Sequence, residues 1–489
     1  MKRSIGFALL LLSIAEISTA QSLTERYKKF QKAATKRYET FRAQANARFA
    51  QALGEEWLPV TQDSIFEKPE RKLTPPEEYK APEEGEEVVQ YMELSAPEVY
   101  TASYAEITEQ PKPIEKIESN NLTSEKLYLS YFGTPLSFRI PTLPELSLQK
   151  FNEKEYVNAW KVLAGEDFDN LLYDCLDVRD KCQLCDYAYM LLLDKVSKEL
   201  YGDTPSGELL KAFLYAQSGY AMRLFYCPIS QKLHMGFRAD YTIYGLQFLT
   251  ALDGKNYYIL EKDTMPMHVS KALFQYEQPM SLKITNNQLF GSGEMFTRIT
   301  TSSMGVTAPV TINKQSIAFF QNYPMVLLND IPGSQFLLYA SVPMDKSIRK
   351  TLYPALKESI KGYSQRDGVN KLLNYVQTAF DYALDDTVWG GERIFFPMET
   401  LYYDYSDCED RSILFARLVR DFFDLDVAFL LFEGHLATAV NFEDEVRGDY
   451  YMINGDKYVV CDPTYIGSSV GQIPERYRNA QVKFIKLQD

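Results

Sequence analysis

Between Asp407 and Tyr465 one helical pattern and several strand patterns follow each other at such short spacing that few folds can hold them. RSILFARLVRDFF (411–423) carries apolar residues on most sides of a helix, and Asp407 just before it has an N-cap side chain. On that helix Cys408 shares a face with Ser412, Phe415, Val419 and Phe422. DVAFLLF and HLATAVNF follow, separated by the turn Glu433-Gly434, and KYVVCDPTY comes after an Asn454-Gly455 hairpin signal, with Pro463 ending the strand. Strands joined by such short turns pair antiparallel and bury one face under the helix, so this region reads as α+β.

The remainder of the chain frames that unit. Residues 2–20 hold Lys2 and Arg3, the apolar run IGFALLLLSIA and then Ser18-Thr19-Ala20, the order of a secretory signal cleaved before Gln21. No cysteine follows that point to suggest a lipid anchor, and no later apolar run is long enough to span a bilayer. The expected product is secreted or periplasmic. Removing Lys2, Arg3 and Glu16 takes away a net +1, so the formal charge moves from -14 to -15. Such an acidic surface argues against a nucleic-acid partner. With 489 residues, 46% of them hydrophobic, the chain can bury several cores. Cys175, Cys182, Cys185, Cys227, Cys408 and Cys461 are too few for a disulfide scaffold of this length.

Along the chain, residues 21–57 contain an 11-residue repeat: Arg26-Tyr27-x-x-Phe30, Arg37-Tyr38-x-x-Phe41 and Arg48-Phe49-x-x-Ala52. Eleven residues make three helical turns, so the aromatics form one stripe that packs on the protein's own body, with self-association or a partner as the alternative. Residues 58–120 are rich in Pro and Glu (KLTPPEEYKAPEEGEE, EQPKPIEKIES) and read as an extended linker. Residues 121–283 suggest a mixed α/β domain with helices near 152–163, 184–200 and 207–217. The runs SLKIT, MFTRIT, PVTINKQSIAFF, MVLL and FLLYASV in 284–345 suggest a β-rich layer. From 346 helical periodicity returns, with Val369, Leu372, Leu373, Val376 and Phe380 on one buried face.

Cys408 lies at the first turn of its helix, where unpaired N–H groups and the positive dipole end favour a thiolate, although Glu409 and Asp410 work weakly against it. A thiolate catalyst also needs a base and a group that orients it. Of three histidines, His435 starts a strand, and Asp462 ends another. Asp407-Cys408-Glu409-Asp410-Arg411-Ser412, Gly434-His435 and Cys461-Asp462-Pro463-Thr464-Tyr465, in this order, resemble the transglutaminase-like superfamily, rearranged relatives of the papain-like thiol enzymes, in an exported bacterial-type multi-domain form. The resemblance covers 346–489 at most, its motifs falling within about 346–475. It implies Cys408 as nucleophile, His435 as general base and then acid, and Asp462 orienting the imidazole. Ser406 departs from the pattern, since many relatives carry Gly there. The Cys408 N–H is the expected oxyanion donor, with Trp389, Tyr402 and Tyr403 as candidates for a second.

A triad also sets geometric conditions. A meander through Tyr450–Ile453 would leave His435 and Asp462 about 20 Å apart. The Asp462 strand is therefore expected to pair directly with the His435 strand, with residues 443–449 crossing back. Cys408 and Cys461 are the only cysteines of this region, and a bond between them would abolish the nucleophile. The triad requires Cys408 to be a free thiol and Cys461, which alternates with Asp462, to be a buried small residue.

A second echo lies 201 residues upstream: Glu208, His234 and Glu261 match Glu409, His435 and Asp462, KLHMGF matches EGHLAT, and DGKNYYILE matches NGDKYVVCD. Gly207 stands where Cys408 would be, so 121–283 is read as a degenerate copy, with Cys185-Asp186 a poorer nucleophile-like alternative. Cys182-x-x-Cys185 with Cys175 and Cys227 has zinc-like elements, but export and the absence of a second paired spacing favour disulfides or core thiols.

The expectation is an exported thiol acyl-transfer enzyme with no metal or cofactor, acting on a peptide, protein or cell-wall amide, with hydrolysis favoured over crosslinking. The competing class is a noncatalytic binding or assembly protein that retains a residual fold.

Overall fold

The computed structural model describes residue 29, residues 32–33 and residues 36–487, apart from 61, 69–71, 81–90, 103–124, 147, 149, 292 and 329. Residues 1–20, read from sequence as a secretory signal, and the first repeat aromatics, Tyr27 and Phe30, lie outside the described residues. The chain is mixed α+β. None of its described helices is long and apolar enough to cross a membrane.

Two sheets dominate, and they share one strand order, although the outer edge strand pairs parallel in the C-terminal sheet and antiparallel in the other. In the C-terminal sheet the order is Tyr450–Ile453, Asp456–Cys461, His435–Asn441, Asp426–Phe432, Lys483–Leu487 and Glu98–Ala102. In the other it is Gln247–Thr250, Asn256–Tyr258, Lys232–Phe237, Met222–Cys227, His268–Val269 and Leu58–Pro59, with Asp63–Ile65 added beyond the first strand. Each sheet thus has a hairpin at its centre, a strand from later in the chain beside it, and an edge strand supplied from before residue 103. A helix directly precedes each hairpin and packs on its second strand: Pro205–Gln217 in the first unit and Cys408–Phe423 in the second. The C-terminal sheet carries Val427, Phe429, Leu436, Val440, Val459 and Cys461 on its helix side, and Ala428, Leu430, Ala437, Ala439, Tyr458 and Val460 on the other. This strict alternation follows from the period of two along a strand.

Short pieces of the stretch read as an extended linker, 58–120, pair as edge strands. Leu58–Pro59 pairs with His268–Val269, Asp63–Ile65 with Gln247–Thr250, and Glu98–Ala102 with Lys483–Leu487. Polar composition does not prevent pairing here, because an edge strand needs only backbone groups and one packed face. The helix over 36–53 packs on the first unit: Phe49 is buried and stacks on Trp160 (4.1 Å between centroids) and Phe274 (4.6 Å), while Arg42 pairs with Asp169 at 2.7 Å.

The β-rich layer over 284–345 is also corrected. Met295–Thr301 and Thr307–Asn313 form a hairpin, but Lys314–Gln321 and Ser334–Ser341 are helices. Runs such as IAFF and FLLYA are continuous, and a continuous apolar run has no period that separates a buried helix from a buried strand. Helix Gln365–Thr378 buries Val369, Leu372, Leu373 and Val376 as its periodicity predicts. Helices Glu153–Leu163 and Asp186–Tyr201 lie where expected, while Asp169–Lys181 is an additional one.

Candidate active site

The Cys408 helix begins with a complete capping box. Asp407 accepts hydrogen bonds from the Glu409 and Asp410 N–H groups, and the Asp410 carboxylate accepts from the Asp407 N–H at 3.2 Å. Cys408 is therefore the first helical residue, with Ser412 one turn further along the same face. Ser412 Oγ donates to the Leu436 carbonyl at 3.1 Å, which joins the start of this helix to the start of the His435 strand.

The Asp462 strand pairs directly with the His435 strand, Thr438 opposite Cys461 and Asn441 opposite Tyr458. Tyr450–Ile453 lies outside that pair rather than between its strands. His435 Nε2 and Asp462 Oδ2 are 2.8 Å apart. An ionised carboxylate can only accept, so Nε2 carries the hydrogen and Nδ1 is left as the basic atom. Asp462 Oδ1 accepts from Thr464 N at 2.8 Å and Tyr465 N at 3.1 Å, and Gln377 Nε2 donates to the carbonyls of Asp462 and Tyr465. Both carboxylate oxygens are thus engaged, and the loop after the strand is pinned.

Two phenols that sequence reading missed complete the surroundings. Tyr477 stacks on the His435 ring with centroids 4.8 Å apart, and its ionisation is opposed by burial and by the charges of Asp462 and Cys408. Tyr382 pairs its backbone with Ser406, two residues before Cys408, and burial followed by the charge of Cys408 raises its pKa. Neither tyrosine belongs to the three motifs, and no local pattern marks them. Trp389 and Tyr403, two of the candidates for a second oxyanion donor, form a cluster with Phe395 under the Arg393 guanidinium. Tyr402 packs on Phe296. The Tyr403 hydroxyl binds Arg393 at 3.2 Å and also contacts Gln321.

Charge behind the thiol is balanced from within. Carboxylate oxygens of Asp385, Asp407 and Asp410 lie within 4.8 Å of one another, the only such gathering of three or more His, Cys, Asp or Glu side chains among the described residues. Burial, then the charge of Asp407, pushes Asp385 up to about 8 and holds Asp410 well above its ordinary range. Burial thus favours the neutral form of these two carboxyls, which limits the negative charge gathered beside Cys408. The buried Arg411 guanidinium donates to Ser406 Oγ, Gln377 O and Phe380 O, and places a cation within electrostatic reach of Cys408. Cys408, His435 and Asp462 are 0%, 4% and 0% exposed.

No disulfide joins any two of the six cysteines. Cys461 is buried in the core under the helix, and burial raises its thiol. Cys185 caps a helix and is held at about 12 by burial, while Asp186 next to it binds Tyr220 and Arg179; that pair is structural.

In the first unit His234 sits on a strand, with Nε2 2.7 Å from Asp263 Oδ2. The expected partner, Glu261, instead pairs with Lys198 at 3.3 Å and Lys232 at 3.5 Å. The cause is register. Phe237, the counterpart of Thr438, pairs with Tyr258 rather than Leu260, so the strand is slipped by two residues and the acid comes from the loop after it. Gly207 lies on the helix Pro205–Gln217, where an added Cβ would meet the Gly202 carbonyl oxygen at 2.3 Å. No side chain fits there without movement.

Comparison with protein-family models, curated proteins and solved structures finds no match for this chain.

Proposed function

We propose that the chain is an exported, transglutaminase-like thiol enzyme that hydrolyses peptide or amide bonds. The observation that carries the reading is the 2.8 Å His435–Asp462 pair at the strand ends onto which Ser412 ties the start of the Cys408 helix. In this reading His435 Nδ1 takes the Cys408 thiol proton, and Sγ adds to the carboxamide carbon. The oxyanion in this reading is met by the Cys408 N–H at the first turn of its helix. Collapse breaks the C–N bond, His435 returns the proton to the leaving amine, and a thioester remains. Water deprotonated by His435 then releases the acid and the thiol. An amine attacking the same thioester would give a crosslink instead.

The test is incubation with a peptide library, with and without a primary amine, read by mass. Hydrolysed products that disappear in Cys408→Ala support hydrolysis, and amine adducts would reassign the chemistry to crosslinking. Unchanged masses together with no reaction of Cys408 with a thiol-directed probe would favour the noncatalytic binding or assembly reading. That second reading draws on one observation, the near-complete burial of all three residues.

A further inference from the structure

Lys72–Lys80 (KLTPPEEYK) lies against the groups that surround this triad. Thr74 N donates to the Gly434 carbonyl at 2.9 Å, and Thr74 Oγ1 reaches the same carbonyl at 3.0 Å and the Tyr477 hydroxyl at 3.1 Å. The Tyr382 hydroxyl approaches the Thr74 carbonyl at 3.5 Å. One residue of the segment thus touches the residue before His435, the ring stacked on His435, and a phenol whose acidity senses Cys408. Gly434 has φ +69, and a Cβ there would meet the Lys72 carbonyl oxygen at 2.8 Å, so glycine is what allows the approach. Further along, Tyr79 N donates to Ile466 O at 2.8 Å and Ile466 N to Glu77 O at 2.9 Å, four residues past Asp462. Glu77 forms an ion pair with Arg476, and Tyr79 packs edge-on against Tyr465.

We infer that residues 72–80 occupy the substrate groove of the proposed enzyme as a built-in strap, and that the groove accepts an extended polypeptide with an acidic residue facing Arg476; this rests on the thiol-enzyme reading. The strap is bound as a peptide would be: through backbone groups of Gly434 and Ile466 at two points, with side-chain contacts between. None of its residues is fully buried, so it is held by contacts that can be exchanged rather than by a core. Pro75-Pro76 bridges the two anchoring points. Its peptide nitrogens carry no hydrogen and its rings restrict φ, so this stretch is poorly suited to bond cleavage while it fills the groove. A substrate reaches Cys408 only when the strap has left, which accounts for an enclosed triad in a catalytic protein.

The full chain carrying Cys408→Ala is compared with the same chain carrying Thr74→Ala/Glu77→Arg in addition, using fluorescein-labelled KLTPPEEYK as the probe and anisotropy as the readout. We expect the strap-weakened chain to bind at least about tenfold more tightly, with that gain lost on Arg476→Ala. Equal binding by both chains, or binding by neither, would overturn the strap. Iodoacetamide labelling of Cys408 in the Thr74→Ala/Glu77→Arg chain that keeps Cys408, with and without His435→Ala, tests the enzyme reading separately. A tenfold binding gain with labelling unaffected by His435→Ala keeps the groove and rejects the enzyme; the converse rejects the strap alone.

Discussion

Ser412 Oγ donates to the Leu436 carbonyl at 3.1 Å, a hydrogen bond that ties the Cys408 helix to the His435 strand. Both groups are buried, so removing the hydroxyl leaves a carbonyl without this partner. Ser412→Val is expected to cost about 1–3 kcal/mol and to slow Cys408 alkylation, whereas Ser412→Thr retains most of both. Chemical denaturation together with iodoacetamide kinetics checks this. Unchanged stability with unchanged labelling would remove Ser412 from the positioning role.

Asp462 accepts with both oxygens, from His435 Nε2 on one side and from Thr464 N and Tyr465 N on the other. Asn at this position must turn its NH2 toward one of these donors. Asp462→Asn is therefore expected to destabilise the protein by about 1–3 kcal/mol and to reduce turnover and thiol labelling. Wild-type melting and labelling in this variant would show that the second oxygen is dispensable.

Buried carboxyls set the pH dependence of stability. Asp385 is raised to about 8 and Glu399 to about 7, burial being the first cause of each. In the unfolded chain both titrate near 4, so above that pH the native state holds protons that the unfolded state has released. Their stabilising contribution is complete below about pH 4 and falls as pH rises toward about 8. Melting temperatures measured across this window should decline, and Asp385→Asn should flatten the decline. A wild-type stability that rises through the window would contradict the assignment.

Gly207 tests the faded first unit. Because a Cβ there would stand 2.3 Å from the Gly202 carbonyl oxygen, Gly207→Cys must shift backbone and is expected to cost about 1–3 kcal/mol. The same chain with Cys408→Ala should show no labelling that depends on His234. Rapid His234-dependent labelling of the new thiol would mean that the first unit retains a working geometry.

Local pattern was sufficient for much of the site. Asp407 as a cap, the buried face of the Cys408 helix, His435 at a strand start and Asp462 before Pro463 are all written in contacts a few residues apart, and the structure has each in place. Alternation likewise put Cys461 in the core, apart from Asp462. What tertiary structure decided involves distant partners. A strand's pattern shows which face is buried but not which strand lies beside it, so the edge strands at 58–59 and 98–102 could not be read from their polar surroundings. A slip of two residues preserves every face, which is why His234 meets Asp263 although the pattern pointed to Glu261. Tyr382, Tyr477 and Thr74 meet beside the His435–Asp462 pair from three separate stretches of chain, because their meeting depends on how the sheets, helices and strap pack rather than on any local period.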